Sequence, residues 1–338
     1  MRRAQNPKNR FDAVDVEWLD EAPEARVEVL EDTTRNILSQ NTSPDLDFRW
    51  SVNPYRGCFH ACAYCYARPT HEYLGLGAGT DFDTKIFVKR QAAALLQRAF
   101  AAPSWRGELV VFSGNTDCYQ PLESTLRLTR ACLEVCAAFR NPVGIVTKSV
   151  LVQRDLDVLT ELSQTAHVCV LFSIPFADDA VGRAIEPQAP LVSRRFEALR
   201  TLAEAGIPTG VSVAPLIPGL NEEDVPRVLE RARANGARFA THVLLRLPGS
   251  SRDVFLERLR QALPERAARV EHRIREVRGG KLNDARFFER GRGQGPYWDL
   301  IQHQWKLHVR RLGFEPGRNR DTLPSTFRRP GPTQGSLF

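Results

Sequence analysis

Five short apolar runs recur along this chain, with room for one helix between successive runs: 109–113 (LVVFS), 143–147 (VGIVT), 168–174 (VCVLFSI), 209–214 (TGVSVA) and 241–246 (THVLLR). Each has strand length without clear alternation, the pattern of a strand covered on both faces of a sheet. The segments 122–139, 155–163, 191–205, 224–235 and 254–262 carry helical spacing, and Gly206 and Gly236 follow two of them as C-terminal stops. Strand then helix, repeated, calls for right-handed crossovers and a parallel sheet that presents its ligands at the strand C-termini. Counting a first strand at 50–55 gives six units, short of the eight that close a barrel. The expected fold is α/β: a partial (β/α)6 TIM-like barrel of parallel strands over 48–263, with a polar N-terminal lead-in at 1–47 and a basic C-terminal extension and tail at 264–338. Beyond about Pro264 the helical pattern dissolves.

Of the 338 residues 42% are hydrophobic and 26% charged, ordinary globular usage that excludes a wholly disordered, collagenous or membrane-embedded chain. The basic start, MRRAQNPKNR, is followed by acids and scattered hydrophobes, not by the apolar stretch of a secretion signal. No window approaches the roughly 18 uninterrupted apolar residues of a membrane helix, so no membrane partner is expected. Seven cysteines, an odd number, form no stapling framework. A reducing, cytoplasmic compartment is the expectation.

Charge is unevenly spread. Of the net +7, the segment 225–338 holds 24 basic against 11 acidic residues, a balance of +13, which leaves −6 for the rest. Arrayed cations release counterions from phosphates, so DNA or RNA is the first partner to consider. In the extension Arg273, Arg275, Arg278, Lys281, Arg286, Arg290 and Arg292 are interleaved with Phe287, Phe288, Tyr297, Trp298 and Trp305. That composition suits a surface tracking a nucleic-acid strand; it equally suits solvated helices with an apolar packing face.

The most specific signal is local. In NPYRGCFHACAYCYARPTHEYLG, Cys58, Cys62 and Cys65 stand as Cys-x3-Cys-x2-Cys just after the first strand. Three soft ligands within eight residues can converge on one centre, and sulfur favours zinc or an iron–sulfur cluster over hard cations. Zinc would need a fourth donor, His60 or His71, and no second cysteine pair at zinc-finger spacing is present. Three alternatives to catalysis therefore stand beside it: a zinc module or an iron–sulfur module that binds nucleic acid, and a redox sensor.

The motif, with Tyr64 immediately before Cys65, resembles the signature of the radical S-adenosylmethionine (SAM) superfamily. The resemblance implies a 4Fe-4S cluster on Cys58, Cys62 and Cys65 and an iron open to S-adenosylmethionine, whose reductive cleavage gives a 5′-deoxyadenosyl radical. It also implies an electron donor such as flavodoxin or ferredoxin. Further patches resemble the spore photoproduct lyase-like family, a branch typified by a DNA-repair enzyme. The resemblance carries cofactor contacts onto Tyr64, onto Asn115, Thr116 and Asp117 in FSGNTDCYQ, onto Lys148 in VTKS, Ser173 in LFSIP and Ala214 in VAPLIPG. Where the family keeps a hydrogen-donating cysteine, this chain has Gly114; Cys118, four residues on, is the substitute donor or a small buried residue. Tyr119 is expected as a radical relay or substrate contact, and Tyr66, His71, Glu72 and Tyr73 on the substrate side of the loop. Cys132, Cys136 and Cys169 are assigned to packing.

Overall fold

The computed structural model describes residues 5–11, 26–316 and 324–330. Its first half holds strands β1 (Glu28–Glu31), β2 (Leu38–Gln40), β3 (Trp50–Val52), β4 (Tyr55–Arg56) and β5 (Lys85–Val88). Then follow β6 (Val110–Phe112), β7 (Val143–Thr147), β8 (Val168–Ser173), β9 (Thr209–Leu216) and β10 (Phe239–Leu244). Six of them, β3 and β6 to β10, pair in parallel and in chain order, and β2 adds an antiparallel edge beside β3. Among the described residues β10 and β2 do not pair, so the barrel is partial and open, with the six units that the apolar runs predict.

All six parallel strands end on one rim, which carries Asn53, Ser113, Lys148, Ser173 and Arg246. The helices Leu156–Thr165, Val192–Glu204 and Val225–Ala234 bury their apolar stripes on the sheet. Gly206 (φ 79) and Gly236 (φ 93) are left-handed stops.

Three local features differ from the sequence reading. The lead-in supplies β1 and β2, and β1 joins β5 and β4 in a second, three-stranded sheet. The helix expected over 122–139 is broken into Glu123–Leu126 and Leu128–Ala138 by Arg127 at φ 52. There the Glu123 carboxylate turns back and accepts from the Thr129 and Arg130 amides, capping the second helix. The extension is not patternless: it forms the helices Pro264–Glu276 and Pro296–Arg311, which bury Ala267, Val270 and Ile274, and Trp298, Ile301 and Trp305, in the main core. Their Arg-rich outer faces mask a narrow apolar stripe. No described helix is long and apolar enough to cross a membrane.

Candidate active site

The cysteine loop opens at Gly57, directly after β4, with a left-handed φ of 81. A Cβ there would stand 2.9 Å from the Lys85 carbonyl oxygen. Gln120 clasps the loop from both sides, donating to the Gly57 carbonyl at 3.2 Å and accepting from the Phe59 amide at 3.2 Å. Beneath it the fully buried Arg68 donates to the Cys62 carbonyl (2.7 Å) and to those of Ala78 and Gly79, and pairs with Asp83 at 2.9 Å. Arg258 reaches in from helix Ser251–Ala262, donates to the Ala61 carbonyl at 2.6 Å and also pairs with Asp83. The loop is thus held in shape by protein contacts alone.

Cys58 and Cys62 are buried and Cys65 half-buried, and none is in a disulfide. Burial raises all three thiols. Cys58 is raised further by Asp117 and by the Cys62 and Cys65 sulfurs; Cys62 rises to about 12, with Lys148 opposing and Glu186 and Cys65 reinforcing. The thiols act on one another electrostatically, and a bound cation would favour the thiolates; as they stand, no group of three or more His, Cys, Asp or Glu side chains among the described residues is arranged to hold a metal ion. Both candidate fourth donors are turned elsewhere. His71 Nε2 lies 2.9 Å from the Lys85 carbonyl oxygen, and the ring packs edge-on against Phe82 and Phe87. His60 Nδ1 approaches Asp117 Oδ2 at 3.4 Å without the alignment of a hydrogen bond. Three thiols without a fourth donor fit a cluster with one open iron better than a closed tetrahedral zinc site.

Above the loop, the turn after β6 is laid against β3. Gly114 sits so close to Ser51 that a Cβ would meet the Ser51 Cβ at 2.9 Å. The Asn53 side-chain oxygen accepts from the Asn115 amide at 3.0 Å and the Thr116 amide at 3.4 Å. The Thr116 hydroxyl is buried and has no partner among the described residues, an orphan that a bound polar ligand can satisfy. Asp117 is differently employed: its carboxylate accepts from the Thr147 hydroxyl and the Lys148 amide, both 2.8 Å, and from the Tyr119 amide at 3.0 Å. Burial pushes this group up, but His60 and these hydrogen bonds outweigh it and bring it down to about 2. Asp117 thereby ties the β6 turn to the end of β7.

The inner wall carries a buried charge cluster. Glu186, 1% exposed, accepts the Tyr64 phenol, pairs with Arg195 at 2.5 Å and lies 4.0 Å from Lys148 Nζ. Lys148 also stands 5.5 Å from the centre of the Tyr64 ring. Burial alone would lower the Lys148 ammonium, yet Cys62 and Glu186 leave it raised. Lys148 and Arg195 share the Glu186 carboxylate, and Asp117 is a further anion acting on Lys148. Ser173 donates to the Ala214 carbonyl at 3.1 Å, which joins the ends of β8 and β9 at the same rim. Sequence reasoning missed Asn53, Arg68, Glu186 and Arg195. Only Asn53 had a signal, its place at a strand C-terminus.

Cys118 and Tyr119 are fully buried, 1% and 0% exposed. Cys118 engages Ser113 and Thr129, and the Tyr119 phenol donates to Asp155 at 3.1 Å. Glu72 and Tyr73 hold the N-terminal segment through Arg10, and His71 lies beneath the loop. Tyr66 is 45% exposed, and its phenol donates to the Gly114 carbonyl at 2.6 Å. Cys132, Cys136 and Cys169 are buried in the protein interior. In the extension Arg273, Arg275, Arg286 and Arg290 are each in ion pairs, and Trp298 and Trp305 are buried; Phe287 and Phe288 are exposed.

Residues 52–232 match the family model of the radical SAM superfamily. The chain is 40% identical over 232 residues to an uncharacterized protein of Mycobacterium tuberculosis (strain ATCC 25618 / H37Rv), 68% of either chain. It is 32% identical over 191 residues to an uncharacterized protein of Acidianus two-tailed virus, 55% of this chain and 62% of that one. In fold it is similar to spore photoproduct lyase complexed with dinucleoside spore photoproduct, with a TM-score of 0.61 and 16% identity over 85% of this chain and 80% of that one. The matched span includes the three thiols, the β6 turn and Lys148. The chain belongs to the radical SAM superfamily, and it is an enzyme whose cofactors are a 4Fe-4S cluster and S-adenosylmethionine.

Proposed function

We propose that Cys58, Cys62 and Cys65 hold the cluster, that the Lys148 ammonium and the Thr116 hydroxyl receive polar groups of S-adenosylmethionine, and that the substrate is a nucleic acid lying over Tyr66. When bound, the cofactor pair supplies a 5′-deoxyadenosyl radical that abstracts hydrogen. The chain's own residues orient and enclose. Arg68 and Arg258 fix the loop carbonyls, Asn53 fixes the β6 turn, and Arg195 with Glu186 sets the place of Lys148. Tyr64, buried with its phenol on Glu186, closes the inner wall against water. The observation that carries the reading is the set of three thiols without a fourth donor beside the Lys148 ammonium, which shares its carboxylate with Arg195. Nucleic acid as substrate is supported by the basic extension at the same rim and by the exposed Tyr66, Phe287 and Phe288.

A low-potential donor such as flavodoxin or ferredoxin supplies the electron, and the cytoplasm is the compartment that keeps the cysteines reduced; no disulfide forms among the described residues. The test is isotopic. The reduced holoenzyme is given S-adenosylmethionine with deuterated DNA or RNA, and deuterium is expected in the released 5′-deoxyadenosine. Release of unlabelled nucleoside with every nucleic acid offered would remove nucleic acid as the substrate.

A further inference from the structure

One side of the barrel mouth gathers Arg246, Arg278 and Arg290, of which only Arg290 is in an ion pair among the described residues. Arg246 follows β10 at the rim, half-buried, with its guanidinium carbon 5.7 Å from the centre of the Tyr66 ring. It makes no hydrogen bond or ion pair among the described residues; it lies over that ring, within electrostatic reach of Arg290 and Asp45. Arg278, 6% exposed, donates one nitrogen to the Leu245 and Arg290 carbonyls at 2.7 and 2.9 Å, and its Nε is buried without a partner. Arg290 is paired with Asp45, and the nearby Asp284 carboxylate is taken by Arg286 at 2.6 Å. Burial and then Arg290 lower Arg246 against the opposing pull of Tyr66 and Asp45, and burial lowers Arg278 against Asp284, with Arg246 adding to the lowering. A desolvated guanidinium without an anion is costly, and a ligand that supplies the anion removes that cost.

The same rim displays stacking surfaces. Asp45 holds the 286–290 turn by accepting from the Phe288 amide at 3.1 Å and from Arg290. Phe288 is held at φ 66, a conformation unfavourable for an aromatic residue. Phe287 and Phe288 are left 49% and 54% exposed, with Arg290 4.8 Å from the centre of the Phe287 ring. Exposed aromatic rings on a held turn, with the unpaired Arg246 on the same rim, can recognise a base and a phosphate together.

We infer that Arg246, backed by Arg278, seats a phosphate group of a nucleotide unit, whose reacting part then lies over Tyr66 beside Cys65. This rests on the reading of the substrate as nucleic acid. Binding tests the two separately: the reconstituted holoenzyme is titrated with a fluorescein-labelled eight-nucleotide single-stranded DNA across a salt series, and with a deoxynucleoside 5′-monophosphate. Arg246→Gln is expected to weaken oligonucleotide binding about tenfold and to reduce the log–log salt slope by about one phosphate's worth, ~0.7 for a single strand. Arg246→Lys, which keeps the charge without the fork, is expected to fall between. Because Arg246 bonds to nothing in the described chain, both variants should melt as the wild type does. Equal affinity and slope for wild type and Arg246→Gln would overturn the phosphate seat while leaving nucleic acid as the substrate. Monophosphate binding that depends on Arg246, with no oligonucleotide binding, would uphold the seat and remove nucleic acid. Binding of neither would overturn both.

Discussion

The Tyr66 phenol donates to the Gly114 carbonyl at 2.6 Å, so the residue after Cys65 is bonded to the turn that follows β6. The cysteine loop and that turn are therefore one mechanical unit, and at Gly114 the turn lies so close to Ser51 that a Cβ would not fit without a shift.

Adding one methyl group at that point should disturb the site. In Gly114→Ala the new Cβ would lie 2.9 Å from Ser51 Cβ, which is anchored to the backbone of β3 and cannot swing aside. The β6 turn must lift, carrying the Tyr66 partner and the Thr116 hydroxyl with it. Overpacking of this kind costs about 1–3 kcal/mol, measurable by urea unfolding, and S-adenosylmethionine should bind at least tenfold more weakly by calorimetry. Ser51→Gly in the same chain should restore both. Failure of that rescue would show that the contact is not what limits the site.

Glu186 is the anion on which two buried cations depend. Glu186→Gln keeps its shape but leaves Arg195, 1% exposed, without a counter-charge. Removing one partner of a buried pair costs about 3–5 kcal/mol. The double variant Glu186→Gln/Arg195→Met should recover most of that loss. A single-variant loss near zero in chemical unfolding would mean that Glu186 is not the counter-ion.

Asp117 makes stability depend on pH at the acid end. Its folded-state pKa is depressed to about 2 from an ordinary 3.8, so its contribution is complete above about pH 4 and is lost as pH falls toward 2. The difference corresponds to roughly 2 kcal/mol. Asp117→Asn should be less stable than wild type at pH 6, with the gap closing on acidification. A gap that stays constant from pH 6 to pH 2 would contradict the assignment.

The six barrel strands were legible because a strand covered on both faces must be apolar throughout, as VCVLFS in β8 is. The three-stranded sheet was not legible: β4 has two residues, and β1 reads EVLE with an exposed, acidic face. Arg127 could not be foreseen as a break, since the cap that stabilises it comes from a carboxylate folding back, not from a turn residue. In the site, Cys58, Cys62 and Cys65 were readable because their spacing is local. Lys148, Ser173 and Ala214 were placed at the rim by resemblance and by their strand-end positions, whereas Glu186 acquires its role only when tertiary folding brings it to Lys148 and Tyr64. Tyr119 is an aromatic next to a motif whose phenol bonds to Asp155, a partner that sequence proximity does not reveal.

The account rests on an iron–sulfur centre held by three thiols and open to one ligand. Anaerobic reconstitution of the wild type and of Cys58→Ala/Cys62→Ala/Cys65→Ala, followed by iron analysis and a S-adenosylmethionine cleavage assay under a strong reductant, tests it most directly. The wild type is expected to take up about four irons, to absorb broadly near ~400 nm and to release 5′-deoxyadenosine, while the triple variant does none of these. A colourless wild type that binds one zinc and leaves S-adenosylmethionine intact would contradict it.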